Sequence, residues 1–137
     1  MTAVSGIVVA HAELAGALVE AAERISGIEG VLQPVSNDGL SPDSLHRELI
    51  HRIDRSPAIL FADLASGSCA FGCHAVARDR SSVAVVTGVN LPMLIDFLFN
   101  REMELGPLAE RVLEKGRAGL TVRTFEGGGD AARPVSD

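Results

Sequence analysis

Short apolar segments alternate with helical patterns along this sequence, which predicts an α/β fold: a single three-layer domain with a mostly parallel sheet of four strands. The runs Gly6–Ala10 (GIVVA) and Ala58–Ala62 (AILFA) are apolar at consecutive positions, as in strands covered on both faces. Between the strand-like runs, apolar residues recur at helical spacing. The length of 137 residues suits one domain of this kind.

The first half of the chain predicts two strand–helix units. Gly6–Ala10 leads into a helix over Glu13–Ile25, which Gly27 ends, and its apolar stripe comprises Leu14, Leu18, Ala21, Ala22 and Ile25. Val31–Val35 is the second strand, followed by a turn with Asn-Asp-Gly chemistry. Ser41 and Pro42 suit the N-cap and first position of a helix that runs to about Arg55. That helix is expected to pack through Leu45, Leu49 and Ile53.

The second half continues the alternation. Ala58–Ala62 and Ser82–Thr87 are the third and fourth strands, and Gly119–Phe125 alternates like an edge strand. Helices are predicted over Cys69–Arg78, Leu91–Asn100 and Pro107–Lys115. From residue 126 onward, the Gly, Asp, Pro and Ser content indicates a flexible tail, so we divide the chain into a domain over 1–125 and a tail over 126–137.

Composition excludes several classes of function. The net charge of −6 disfavours nucleic-acid phosphates and anionic membrane surfaces, and five Phe without Trp or Tyr provide few base-stacking platforms. No stretch approaches the ~20 apolar residues of a membrane span, so we expect a soluble protein with no direct membrane insertion. Cys69 and Cys73 form no disulfide framework, which favours a cytoplasmic location.

Chemically capable side chains follow three of the predicted strands. His11 comes after the first, Asp63 after the third and Asn90 after the fourth. Parallel sheets bind ligands at the carboxyl ends of their strands, so these residues are expected to share a crevice. There His11 can act as ligand, base or nucleophile, and Asp63 can fix its tautomer. The loop containing Ser66, Gly67 and Ser68 can hold an anion at a helix N-terminus, so we predict a phosphoryl-binding site.

Each of these residues also has an ordinary structural interpretation. His11 can be a polar residue that merely ends a strand, Asp63 can be a loop or capping residue, and Gly/Ser loops are frequent. A zinc site using both cysteines with His11 or His74 is less favoured, because no CxxC motif supports it. His46 and His51 lie away from the carboxyl edge. A response-regulator receiver is disfavoured, because the acidic pair and the lysine it needs are missing.

The order GIVVAH…DLASGS…TGVNLPML resembles the IIA component of the mannose family of the bacterial sugar phosphotransferase system. The resemblance spans about residues 5 to 125 and implies a phosphohistidine carrier. It implies that His11 accepts phosphoryl from the carrier protein HPr and passes it to a separate IIB component, with Asp63 orienting the ring and Ser68 as the loop serine. It further implies a homodimer and an antiparallel C-terminal strand, here Gly119–Phe125. For the almost wholly apolar segment Leu91–Phe99 it favours a dimer contact over simple burial.

The sequence departs from that family in the loop after Asp63. Ser66 replaces a glycine, Cys69 a proline and Phe71 an asparagine, which affects the identity of the IIB partner. We expect Phe71 and Asn90 to contact a partner, and we expect no cofactor and no metal. Two alternatives remain open: a regulatory protein of the same family that binds partners according to its phosphorylation state, and a phosphoryl donor to a dihydroxyacetone kinase.

Overall fold

The computed structural model describes residues 3–125 and 133–134, in which a four-stranded sheet lies between two layers of helices. The strands are β1 Ser5–Ala10, β2 Leu32–Ser36, β3 Ala58–Ala62, β4 Val83–Thr87, β5 Thr121–Val122 and β6 Arg133–Pro134. The helices are α1 Leu14–Ser26, α2 Pro42–Ile53, α3 Ser68–Asp79, α4 Leu91–Phe99 and α5 Leu105–Ala118. Within this described part, none of the helices is long and apolar enough to cross a membrane.

The main sheet has the strand order β2-β1-β3-β4, and all its neighbours are parallel. Val9 of β1 pairs with Val35 on one side and with Ala62 on the other. The chain therefore leaves β1 towards one edge to form β2, then returns across β1 to form β3. The direction of winding reverses between β1 and β3, which is where ligand crevices open in such sheets.

Two apolar layers cover the sheet, as the sequence predicts. Val8 and Phe61 face the layer formed by α1, α4 and α5, whereas Ile7 and Leu60 face the layer formed by α2 and α3. All four side chains are fully buried. The predicted three-layer α/β architecture is thus confirmed.

Gly6 in β1 lies under the aromatic ring of Phe97. A Cβ atom at this glycine would come within 2.6 Å of the Phe97 ring and 2.9 Å of Leu32. The ring of Phe97 also packs edge-to-face on Phe61, with centroids 5.4 Å apart. The glycine allows α4 to approach the sheet closely and so fixes the β1 strand beneath it.

The predicted core face of α1 is only partly right, since Ala22 is buried and Leu18 packs against the core, whereas that of α2 is confirmed. Ala15, Val19 and Ala22 are the buried residues of α1, and Leu14 and Ile25 are 44% and 61% exposed. Two adjacent stripes of this helix fit the same periodicity, and the stripe with smaller side chains is the one against the sheet. In α2, Leu45, Leu49 and Ile53 are buried. Ser41 caps its N-terminus by accepting the Ser44 N–H at 3.1 Å.

The C-terminal strand is antiparallel as predicted, but it is shorter and lies outside the main sheet. Thr121–Val122 pairs with Arg133–Pro134 in a separate two-stranded sheet. The remaining residues of the predicted 126–137 tail, 126–132 and 135–137, lie outside the described residues.

Candidate functional site

His11 and Asp63 meet at the reversal point between β1 and β3. Each follows its strand directly, and the N–H of Asp63 donates to the carbonyl of Val9 at 3.2 Å, which extends the β1–β3 pairing to the rim. After His11 the chain turns through Ala12, which has a positive φ of 53°. The carbonyl of His11 accepts the Leu14 N–H at 3.2 Å as α1 begins. The predicted proximity of the two side chains is therefore observed.

One carboxylate oxygen of Asp63 holds His11 at two points. Oδ2 accepts the backbone N–H of His11 at 3.0 Å and lies 2.8 Å from ring Nδ1. The His11 side chain is 43% exposed, whereas that of Asp63 is only 9% exposed. The carboxylate thus forms the buried floor of the crevice, and the ring stands above it.

Asp63 is held in its ionised form. Burial raises the pKa of this carboxyl, but the two hydrogen bonds from His11 and the charge of its ring outweigh burial, so the pKa lies below its ordinary value of 3.8. An ionised carboxylate only accepts hydrogen bonds, which places the proton of a neutral His11 ring on Nδ1. The lone pair is then on Nε2, the nitrogen that Asp63 does not contact, so the ring is prepared as a nucleophile or base.

The loop of Ser66, Gly67 and Ser68 lies beside the His11 ring and begins α3. A Cβ atom at Gly67 would be 3.9 Å from Cε1 of His11, and Gly67 has a φ of 98°. No side chain caps α3, and its first turn carries no acidic residue. The amide N–H groups of that turn and the exposed Ser68 hydroxyl can therefore attract an anion next to the ring.

Asn37 is a crevice residue that the sequence analysis missed. Its backbone N–H donates to the carbonyl of Ala10 at 3.2 Å, and its Nδ2 donates to the Ser68 hydroxyl at 3.2 Å. Its Oδ1 is buried without a hydrogen-bond partner. The only sequence signal was the turn chemistry after β2, which gives no indication that the side chain reaches across to Ser68.

The two cysteines lie on the buried face of α3, together with Gly72 and Val76. Burial and the charge of Asp63 raise the pKa of Cys69 to about 11, and burial raises the pKa of Cys73 to about 12. Cys69 has a second feature that the sequence did not reveal, because its Sγ lies 3.7 Å from Nδ1 of His11. Only Cys69 of the two belongs to the His11–Asp63 cluster.

The two residues that we expect to contact a partner, Phe71 and Asn90, have different surroundings. Phe71 lies in the first turn of α3 and is 59% exposed, so it is accessible to a partner. Asn90 follows β4 at the same edge, but its Oδ1 accepts the Met93 N–H at 3.1 Å and its Nδ2 donates to the Gly116 carbonyl at 3.0 Å. Its amide thereby caps α4 and joins it to α5, while its contact with a partner stays a prediction.

The remaining histidines lie away from the crevice. His46 on α2 is 3.3 Å from a carboxylate oxygen of Asp79. His51 and His74 are exposed on α2 and α3. None of them joins His11, so the site has a single imidazole within the described residues.

Comparison with known families and structures agrees with this architecture. A family model described as PTS system fructose IIA component matches residues 5–113. The chain resembles a phosphotransferase system component EIIA from Streptococcus agalactiae, with 22% identity, a TM-score of 0.79 and coverage of 85% of this chain and 95% of that one. The comparison with curated protein sequences gave no match.

Two further solved structures share the fold. A mannose/sorbose specific IIA subunit from Enterococcus faecalis has 17% identity and a TM-score of 0.78, with 90% of this chain and 96% of that one covered. A PTS IIA protein associated with the fucose utilization operon of Streptococcus pneumoniae has 18% identity and a TM-score of 0.73, with 88% and 94% covered. At these identities the three solved structures show only that the fold is shared. The family model is a match to the sequence itself and covers most of it.

Proposed function

Since the chain belongs to the mannose/fructose IIA family of the phosphotransferase system, we propose that it is a cytoplasmic phosphohistidine carrier that accepts phosphoryl on His11. The donor is phosphorylated HPr, and the acceptor is a separate IIB component. The observation that carries the proposal is the 2.8 Å contact between Asp63 Oδ2 and His11 Nδ1. It leaves the lone pair on Nε2, the nitrogen of this half-exposed ring that Asp63 does not contact.

Transfer is an exchange of one P–N bond for another. The Nε2 lone pair of His11 attacks phosphorus while the P–N bond to the donor histidine breaks, and the departing nitrogen keeps the bonding electron pair. His11 gains positive charge as the new bond forms, and the ionised Asp63 on Nδ1 stabilises that charge. The protein contributes position and electrostatic complementarity, which phosphoryl transfer chiefly requires.

The Ser66–Ser68 loop supplies the complement to the phosphoryl oxygens. A Cβ atom at Gly67, directly before α3, would lie 3.9 Å from Cε1 of His11, the carbon next to Nε2. The first-turn N–H groups of α3 and the Ser68 hydroxyl can therefore contact a phosphoryl group on Nε2. Asn37 positions that hydroxyl through its 3.2 Å hydrogen bond. These groups carry no net charge, so they can hold the phosphoryl group without retaining it when an acceptor histidine or cysteine arrives.

Exposed apolar side chains next to the crevice support the proposal that protein partners bind there. Leu14 lies three residues after His11, Leu64 follows Asp63, and Phe71 lies in the first turn of α3, and all three are exposed. Aromatic and aliphatic residues of this kind provide much of the binding energy at protein interfaces. We therefore place Phe71 at the contact with HPr or the IIB component.

A homodimer is the second part of the proposal. In α4, the residues Met93, Leu94, Phe97 and Leu98 are buried in the core, which accounts for most of the apolar character of the segment. Phe99 is nevertheless 62% exposed at the end of this helix. Sedimentation equilibrium of the wild type and of Phe99→Ser tests the contact: a dimer weakened by the substitution supports it, and a monomeric wild type refutes it.

The principal experiment measures intact mass after incubation with phosphoenolpyruvate, enzyme I and HPr. The wild type should gain one phosphoryl group of about 80 Da, labile in acid. His11→Ala should gain none, whereas His74→Ala, which removes an exposed histidine of α3, should gain it normally. Unphosphorylated wild type with a cognate HPr would contradict the carrier function.

A further inference from the structure

Cys69 completes a cluster of three potential metal ligands with His11 and Asp63. One ligand atom from each residue lies within 4.8 Å of the other two, and the three form the one such group in the described part of the chain. Cys69 Sγ is 3.7 Å from His11 Nδ1, and Asp63 Oδ2 is 2.8 Å from the same nitrogen. The cluster combines sulfur, nitrogen and oxygen around one small volume.

We propose that the Cys69 thiolate, His11 Nδ1 and the Asp63 carboxylate bind Zn²⁺, and that the bound ion stops His11 from accepting phosphoryl. Thiolate, imidazole and carboxylate are the three side-chain ligands of protein zinc. The first half of this proposal is independent of the carrier function, and the second half rests on it.

The distances are close to those of a tetrahedral zinc site. Bond lengths of about 2.0–2.3 Å imply ligand separations of roughly 3.3 Å between nitrogen and oxygen and roughly 3.6 Å between nitrogen and sulfur. The Sγ–Nδ1 separation of 3.7 Å already fits. The Oδ2–Nδ1 separation of 2.8 Å is that of a hydrogen bond, so the metal must displace the proton between these atoms, and the carboxylate must shift to admit the ion.

Asp63 has an unused oxygen for this purpose. Its Oδ1 is buried and has no hydrogen-bond partner, while Oδ2 accepts the backbone N–H of His11. With Oδ1 as the ligand, Oδ2 can keep the backbone N–H of His11. A tetrahedral site needs a fourth ligand, which a water molecule can supply from the side of the half-exposed His11 ring.

Zinc binding changes which nitrogen of His11 carries the proton. In the metal-free protein, Nδ1 carries it and Nε2 has the lone pair. When Nδ1 gives its lone pair to zinc, the ring proton resides on Nε2, and the thiol of Cys69 releases its proton to solvent. The nucleophilic lone pair is then lost, so the metal-bound protein cannot attack phosphorus.

Cobalt(II) titration of the purified protein tests the site directly. Co²⁺ replaces the spectroscopically silent Zn²⁺, and a thiolate ligand gives a sulfur-to-cobalt charge-transfer band in the near ultraviolet. We expect this band in the wild type, its loss in Cys69→Ser, and its retention in Cys73→Ala and His74→Ala. Zinc affinity of Cys69→Ser, measured by competition with a chelating dye, should fall at least about tenfold.

The sulfur-to-cobalt band of the wild type tests the metal site even where a variant fails to fold. Its absence at millimolar Co²⁺, or undiminished zinc affinity in a folded Cys69→Ser, overturns the site. Circular dichroism of each variant verifies the fold, and dye competition on the wild type needs no variant.

A second assay tests the effect on phosphoryl transfer, using purified phospho-HPr as donor so that no Mg²⁺ is required. Zinc should lower the initial phosphorylation rate of the wild type at least about tenfold, reversibly with chelator, and leave the rate of Cys69→Ser unaffected by zinc. Equal inhibition of both proteins overturns the inhibitory role. A cobalt band without any phosphorylation refutes the carrier function alone, and phosphorylation without the band refutes the metal site alone.

Discussion

Oδ2 of Asp63 contacts both the backbone nitrogen and ring Nδ1 of His11, at 3.0 and 2.8 Å. The same atom therefore fixes the point where the chain leaves β1 and the tautomer of the ring. A residue that merely ended a strand would need neither contact.

Asp63→Asn should slow phosphorylation of His11 on the order of 10²-fold. The amide is nearly the same shape, but it carries no charge to stabilise the ring as the bond to phosphorus forms. The initial rate from phospho-HPr, followed by intact mass, measures the effect. Glu48→Gln, which changes a partly exposed carboxylate on α2, is the matched control and should keep the wild-type rate. An Asp63→Asn rate within twofold of wild type would contradict the role of Asp63.

The stabilising effect of Asp63 should disappear in acid. Its pKa is lowered in the folded protein by the contacts with His11, so the folded state binds its proton less readily than the unfolded chain. The resulting stability is present above the ordinary pKa of 3.8 and is lost as the pH falls through the lower folded value. The difference in the free energy of unfolding between wild type and Asp63→Asn should therefore shrink from pH 6 to pH 3. Urea unfolding at several pH values measures this difference. A difference that grows as the pH falls would contradict the lowered pKa of Asp63.

Parallel sheets bind ligands at the carboxyl ends of their strands, where the direction of winding reverses. The His11–Asp63 pair was predictable from this rule, because both residues directly follow buried strands. Each strand is a continuous apolar run, so its end is visible in the sequence. The contacts of Asn37 and Cys69 were not predictable, because they depend on where a loop and the first turn of α3 come to rest in three dimensions. The predicted α1 face was partly wrong for a related reason, since periodicity defines the spacing of a stripe and not which of two adjacent stripes faces the sheet.

Gly67→Ala should destabilise the protein by about 1–3 kcal/mol, because φ 98° with ψ −176° is a conformation open essentially to glycine. The Cβ atom itself has room, so the cost comes from the backbone. Gly16→Ala is a matched control in α1, where a Cβ meets no atom within 4 Å and should stabilise the helix by up to about 1 kcal/mol. Urea midpoints of the two variants should move in opposite directions. A Gly67→Ala variant with the urea midpoint of the wild type would show that the loop adopts another conformation in solution.

Neither cysteine should react with a thiol reagent in the metal-free native protein near pH 8. Both side chains are buried, and their pKa values of about 11 and about 12 leave little thiolate. Titration with a chromogenic disulfide should detect no thiol at once in buffer and both thiols in denaturant. Rapid modification of Cys69 in buffer would mean that the floor of the crevice is open.

Phe71→Ser should weaken transfer from phospho-HPr by raising the KM for the donor while changing the maximal rate little. Phe71 is 59% exposed in the first turn of α3, so its loss removes binding surface rather than chemistry. Ile25→Ser, an equally exposed apolar residue at the far end of α1, is the control and should leave KM unchanged. Steady-state phosphorylation at varied phospho-HPr separates the two parameters. An unchanged KM in Phe71→Ser would remove this residue from the donor interface, and a rise confined to transfer onto the IIB component would assign it to the acceptor instead.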